Sequence, residues 1–275
     1  MPLGEPKFEQ IKKKPWQEEI GFRKVKGFVK EQAELLKKEG FPIGSDGRIS
    51  PDEYSRIYSK EVLDGDKKYV QGHEIKFSEN IYSTRDIENS DAGEGFEILT
   101  MAILQKFLSQ NKEFCILRSS KFDDIINKVD LLILDRKTGA IICGLDDVQS
   151  EDYGIRAEKK RENARYKNEK YGGTSVQYGF NSQKENDGII SFKLGGMSKV
   201  PIVIFPVSDR EVENAIENFN TDTDKKLFDK FLKVMNEQIN ELSKSLSDQN
   251  SKEQLSHLKE SLRGYTKQKE LVGVR

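Results

Sequence analysis

Two apolar runs meet across a turn in residues 128–150, KVDLLILDRKTGAIICGLDDVQS, and no other stretch constrains the chain as much. The turn is Arg136-Lys137-Thr138-Gly139, and Gly139 supplies the positive φ that such a turn needs. The prediction is a β-hairpin. Side chains alternate between the faces of a strand, and directly paired residues share a face. With Asp135 opposite Ala140, Asp130 falls opposite Leu145 and Lys128 opposite Asp147. Asp130, Asp147 and Gln149 then lie on one face, and two carboxylates converge at the open end of an apolar ribbon. A shift of one residue would put Asp146 and Val148 there instead.

The 275 residues are enough to bury a sizeable core. Lys and Arg number 46 and Asp and Glu 47, a net charge of −1. A globally basic nucleic-acid binder is therefore not indicated, and any such binding must come from a local patch. Cys115 and Cys143 both fall in apolar strand-like runs, which reads as buried thiols rather than a disulfide. No apolar run approaches the ~20 residues of a membrane span, and the N-terminal MPLGEPKFEQIKKK lacks a signal-peptide core. The expectation is a cytoplasmic protein without a membrane partner.

Residues 15–39 read as a helix stopped by Gly40, with a stripe of Trp16, Ile20, Val25, Phe28, Ala33 and Leu36. The segment FPIGSDGRISPDEY has part of a calcium-loop spacing. Pro42 and Gly44 would fall where oxygen ligands are needed, so it reads as a turn with Ser50-Pro51 opening a helix over 52–62. Tyr69–Val70 and Glu74–Phe77 read as short strands, and no second His or Cys stands near His73 in the sequence, which argues against a metal-ligand role. Residues 91–109 form the clearest helix, with Asp91 and Glu94 in a capping-box pattern. Apolar residues cover most of its circumference, so it is buried, and Glu97 points inward with Met101, Leu104 and Leu108. A carboxylate there needs a cation, a hydrogen-bond donor or a raised pKa.

Phe114–Leu117 is a short buried strand, and Asp123 and Asp124 follow in a loop, either adding to an acidic cluster or starting a turn. Beyond the hairpin, residues 154–170 read as a helix with seven Lys or Arg against three Glu, either a solvated helix or a phosphate-facing one. A second hairpin is expected at 175–179 and 189–194, a buried strand at 200–207, and a helix capped by Ser208 or Asp209. From Asp222 two amphipathic helical segments follow, separated near 247–251. They pack back on the core or serve as an arm for dimerisation.

In this order the chain resembles the PD-(D/E)XK nuclease superfamily. The residues that carry the resemblance are Glu97 on a buried helix, Asp130 and Asp147-Val148-Gln149 on the hairpin, and the basic helix, buried strand and helix that follow. The resemblance covers residues 91–220. It implies an α/β fold with a restriction-endonuclease-like α-β-β-β-α-β core, a mixed central sheet and an inserted hairpin. Residues 1–90 would be a helical or mixed extension and 221–275 a helical arm, and a homodimer could form through the helical arms. Asp130 matches the first acid of the motif, Asp147 the second and Glu97 the helix acid, while Gln149 stands where the family has lysine. The implied cofactor is Mg2+ or Mn2+, held by Glu97, Asp130, Asp147 and the Val148 carbonyl. The implied activity is phosphodiester hydrolysis, with DNA the foremost partner. Asp130, Asp147 and Gln149 would be catalytic. Gln149 brings neither positive charge nor a proton, so the missing cation is sought in Lys128, Lys121, Lys159 or Lys160. Lys121, Arg156, Lys159, Lys160, Arg161 and Arg165 would face the nucleic-acid backbone. The alternative is an inactive nuclease-like module that binds nucleic acid or a partner protein.

Overall fold

A computed structural model describes residues 20–79, 84–108, 113–150, 154–184, 190–246 and 249–272. The start of the expected first helix, residues 15–19 with Trp16 of its stripe, and the turn between the strands of the second hairpin lie outside these residues.

The hairpin lies at the centre of a four-stranded sheet. Its strands are β1 (Phe114–Arg118), β2 (Leu131–Asp135), β3 (Ile141–Gln149) and, last in sequence, β6 (Ile202–Val207). Their spatial order is β1-β2-β3-β6. β1, β2 and β3 pair antiparallel, whereas β6 runs parallel to β3, so the sheet is mixed. A parallel neighbour requires a crossover. This one is made by helix α5 (Ile155–Tyr171) and the hairpin β4 (Thr174–Lys184) and β5 (Ile190–Val200), which form a separate two-stranded sheet.

The predicted register holds at the turn, where Asp135 N donates to Ala140 O at 2.9 Å and Gly139 has φ +65°. It does not hold at the open end. A bulge between Ile133 and Leu134 leaves Leu131 opposite Leu145, one residue from the expected pairing. Such a shift exchanges the faces of every later residue. Asp130 therefore comes level with Asp146, and Lys128 is not in the ladder.

One face of the sheet is covered by α3 (Thr84–Leu108), α6 (Asp209–Glu217), α7 (Asp222–Ser245), α8 (Gln249–Val272) and the first half of α1 (Ile20–Lys38). The other face carries the β4–β5 hairpin, residues 41–54 and the second half of α1. The buried stripe of α1 is Phe22, Val25, Val29, Ala33 and Leu36, a more regular spacing than the one expected, and Ile20 is exposed. The apolar faces of α1, α7 and α8 are thus used within the chain. Of the two expected caps, Ser208 is the one that opens α6, and it forms a capping box with Glu211.

Three further expectations are corrected. Lys60–Glu79 is a helix, α2, rather than a pair of short strands. Val62, Tyr69 and Val70 fit a helical period as well as a strand, and short apolar pairs do not discriminate between the two. The first turn after Ser50 is a 3-10 helix at Pro51–Tyr54, with α2 starting only at Lys60. Finally, α3 runs from Thr84, so Asp91 and Glu94 lie inside it rather than at its start.

The sheet edges are closed by side-chain amides. Asn168 of α5 exchanges two bonds with Ile202, accepting from its N–H at 2.9 Å and donating to its carbonyl at 2.8 Å. Gln238 of α7 does the same for Ile204, at 3.0 and 2.7 Å. On β1, Gln105 accepts from Ile116 N at 2.9 Å. Both cysteines are buried free thiols, and burial pushes Cys143 up to about 12. No helix among the described residues is long and apolar enough to cross a membrane.

Candidate metal centre

The open end of the hairpin collects acids from four elements. Glu97 comes from α3, Asp130 from the approach to β2, and Asp146 and Asp147 from β3. The fourth element is a short helix, α4 (Lys121–Asn127), where a loop was expected. Ser120 caps it, its hydroxyl accepting from Asp123 N at 3.0 Å. The helix divides its two acids between two tasks. Asp123 is buried and accepts from Gln177 N at 2.6 Å and Tyr178 N at 3.1 Å, which ties β4 to the core. Asp124 turns the other way. Glu97, Asp124 and Asp130 each offer an oxygen, all within 4.8 Å of one another, an arrangement able to coordinate a metal ion.

The cations around this cluster are specific. Arg48 Nη2 is 2.6 Å from Glu97 Oε2, its Nη1 is 3.5 Å from Asp124 Oδ2, and Nη1 donates to Ser119 O at 2.9 Å. Arg118, fully buried at the end of β1, places Nη2 2.9 Å from the same Glu97 oxygen and 3.1 Å from Glu94. Burial opposes the charge of Arg118, but the adjoining Glu97 and Glu94 outweigh it and hold its pKa above the ordinary value. Lys160 of α5 pairs with Asp146 at 2.6 Å and reaches Asp147 O at 3.3 Å.

Two acids are left without such a partner. Asp130 accepts a 2.6 Å bond from Asp147 N, yet burial, followed by the charge of Asp146, raises its pKa well above the carboxylate range. Asp147 is 8% exposed, and neither of its carboxylate oxygens has a hydrogen-bond partner. Burial and the charge of Glu97 raise its pKa as well. The Thr100 hydroxyl, itself without a well-formed bond, is near enough to ease that charge only slightly. A buried carboxylate with two unpartnered oxygens is costly. A divalent cation fits that deficit: Asp130 belongs to the Glu97–Asp124–Asp130 cluster able to hold one, and Asp147 lies beside it with both oxygens unengaged.

The predicted site residues fare differently. Glu97, Asp130 and Asp147 come together. Val148 packs its side chain under α5 against Ala157, Ala164, Ile202 and Ile204. Gln149 ends β3 opposite Val207. Lys128 was expected on the strand facing Asp147; it is instead the exposed left-handed cap of α4, φ +58°. Lys121 lies 3.4 Å from Asp124. Lys159 is exposed, whereas Lys160 makes an ion pair with Asp146 of the centre. Arg161 and Arg165 line a recess of about 220 Å³ toward α7, shared with Glu158, Glu162 and Glu241. Arg156 belongs to the first turn of α5. The basic helix can lie this close to the sheet because its buried face is small, chiefly Ala157, Ala164 and Asn168.

Arg48, Arg118 and Thr100 were not anticipated. Arg118 had a visible signal, a lone cation ending an otherwise apolar strand, FCILR. Arg48 had none beyond the Asp-Gly-Arg turn that delivers it. Replacing Arg118 with Met strands the buried Glu97 against one cation rather than two, and the expected loss is about 3–5 kcal/mol in urea unfolding. A cleft of about 460 Å³ opens beside the centre, lined by Lys26, Lys30, Ser45, Asp46, Glu94 and Arg118 among others. No family model, curated protein or solved structure matches the chain, so the reading of this centre rests on its own geometry.

Proposed function

We propose that the protein is a divalent-metal-dependent phosphodiester hydrolase of the PD-(D/E)XK kind, acting on nucleic acid and foremost on DNA. The observation that carries this reading is Asp147, buried, unpartnered on both oxygens, and set beside Asp130 and the Glu97–Asp124–Asp130 cluster. The element order also supports it: a buried acid-bearing helix, three antiparallel strands, a basic helix and a strand parallel to the third.

Asp130, Asp147 and Asp124 would hold the ion. Bound there, a divalent cation supplies positive charge against the phosphate oxygens and makes water a better nucleophile. Lys160 takes the part of the lysine that Gln149 replaces, reaching the strand end from α5 rather than from β3 itself. Lys26 and Lys30 in the adjoining cleft give an anionic chain a place to lie.

The test is a Mg2+- or Mn2+-dependent cleavage assay on linear, nicked and single-stranded DNA. Wild type is expected to cleave, and Asp130→Ala and Asp147→Ala to lose the activity. Activity unchanged in both variants would sink the assigned site. Gln149 favours one second reading, a binding module without catalysis. That reading predicts salt-sensitive DNA binding with no metal-dependent cleavage.

A further inference from the structure

Arg48 is placed with unusual care for a residue in a surface turn. Gly47 has φ +74°, and a Cβ there would strike the Met101 side chain, so the turn passes close over α3. Arg118 N donates to Gly47 O and Ile49 N to Arg118 O, both at 2.9 Å, which docks the turn on the edge of β1. Asp46 Oδ1 accepts from Arg48 N at 3.1 Å. Arg48 as a residue is 8% exposed, and its guanidinium lies against Glu97, Asp124 and the Ser119 carbonyl.

The charges then sort into two groups. Glu97 is claimed by Arg48 and Arg118 through one and the same oxygen. Asp146 is claimed by Lys160. Asp130 and Asp147 have no cation within ion-pair distance among the described residues, and Asp124 has only the longer contacts to Arg48 and Lys121. A first divalent ion on the Asp130–Asp147 side meets no cation paired with either of those two carboxylates, and its third ligand, Asp124, carries only the longer contacts to Arg48 and Lys121. A second ion, which would need Glu97 with Asp124, meets Arg48 already lying across both.

We propose that Arg48 is a resident counter-ion that limits this centre to one divalent cation and holds Glu97 out of its coordination. The proposal rests on the metal-centre reading above and sharpens it: the hydrolysis would proceed with a single ion, and the guanidinium would stand where a second ion would otherwise be. Arg48 is accordingly a positioning residue. Its role is electrostatic and is separable from the chemistry of cleavage.

The experiment is Mn2+ titration of the full chain without DNA, followed by calorimetry and by the electron paramagnetic resonance of free Mn2+. Wild type is expected to bind one ion. Arg48→Gln keeps a hydrogen-bonding side chain without the charge; it is expected to bind two, with the first about tenfold tighter or more. Arg48→Lys restores the charge and is expected to return the count to one. Circular dichroism reports whether each variant folds. If Arg48→Gln does not fold, Arg48→Lys and Glu97→Gln decide the matter. Glu97→Gln removes a negative charge beside the ion and should weaken it by no more than about tenfold, short of the loss expected when a ligand of the ion is removed. Two ions in wild type, one ion in a folded Arg48→Gln, two ions in Arg48→Lys, or a loss of more than about tenfold in Glu97→Gln would each overturn the proposal. Wild type binding no ion would overturn it together with the metal-centre reading, whereas two ions in wild type would remove the proposal alone.

Discussion

Asp147→Asn and Asp130→Asn make the metal-free protein more stable and remove its stabilisation by Mn2+ or Mg2+. The first effect follows from burial. Both carboxylates are held where their charge is disfavoured, by desolvation first and then by Asp146 for Asp130 and Glu97 for Asp147. An amide of the same shape relieves that, and a gain of about 1–3 kcal/mol is expected in chelator. In a chain of about this length that is roughly 2–4 °C per kcal/mol in Tm. The second effect follows from mass action. Wild type should gain about 2.7 kcal/mol when free metal is a hundred times its Kd, and the variants should gain nothing. Stability and metal response thus move in opposite directions, which a merely structural pair of aspartates would not produce.

The same two groups set a pH dependence. Their pKa values are raised in the folded chain, so the native state binds more protons than the unfolded one. Stability from this source is fully present below the ordinary aspartate range and is lost as the pH rises through the raised values. Melting curves in chelator over about pH 4 to 9 should therefore decline toward the alkaline side. Added Mn2+ should remove the decline, since an ion favours the charged forms. A wild-type profile in chelator that is flat, or that rises, would count against the buried pair.

Lys160→Met is expected to lower metal-dependent cleavage by about 10²–10³ while the protein still binds Mn2+. Lys160 is the cation that the strand itself lacks, 2.6 Å from Asp146 and 3.3 Å from the Asp147 carbonyl. Removing it also leaves Asp146 buried and unpaired. That pushes the Asp146 pKa, already raised by burial, further up. Parallel measurement of cleavage and of Mn2+ affinity separates the two consequences. Equal cleavage in the variant would mean that some other group supplies the positive charge.

The elements whose signals are local were legible in the sequence. The turn at Gly139, the helix cap at Ser208 or Asp209, the apolar run of β6 and the inward Glu97 all depend on neighbours in the chain. The register at the open end was not legible, because the bulge opposite Leu134 leaves no mark in the alternation of apolar residues. α4 was missed because seven residues, Lys121–Asn127, carry too short a period to read. The acids were found and their cations largely were not. Carboxylates at a hairpin end stand out against apolar neighbours, whereas Arg48 is 49 positions from Glu97 and meets it only once the turn has docked on β1.

The amides that close the sheet have a consequence for how the chain reaches this state. Asn168 and Gln238 belong to α5 and α7, and each imitates the paired bonds of a neighbouring strand. Until both helices dock, β6 presents its N–H and carbonyl groups as a free edge, open to any other chain with a strand to offer. Helix docking is therefore also the moment at which self-association by strand addition at β6 ends, and crowding during synthesis matters most before residue 238 has emerged.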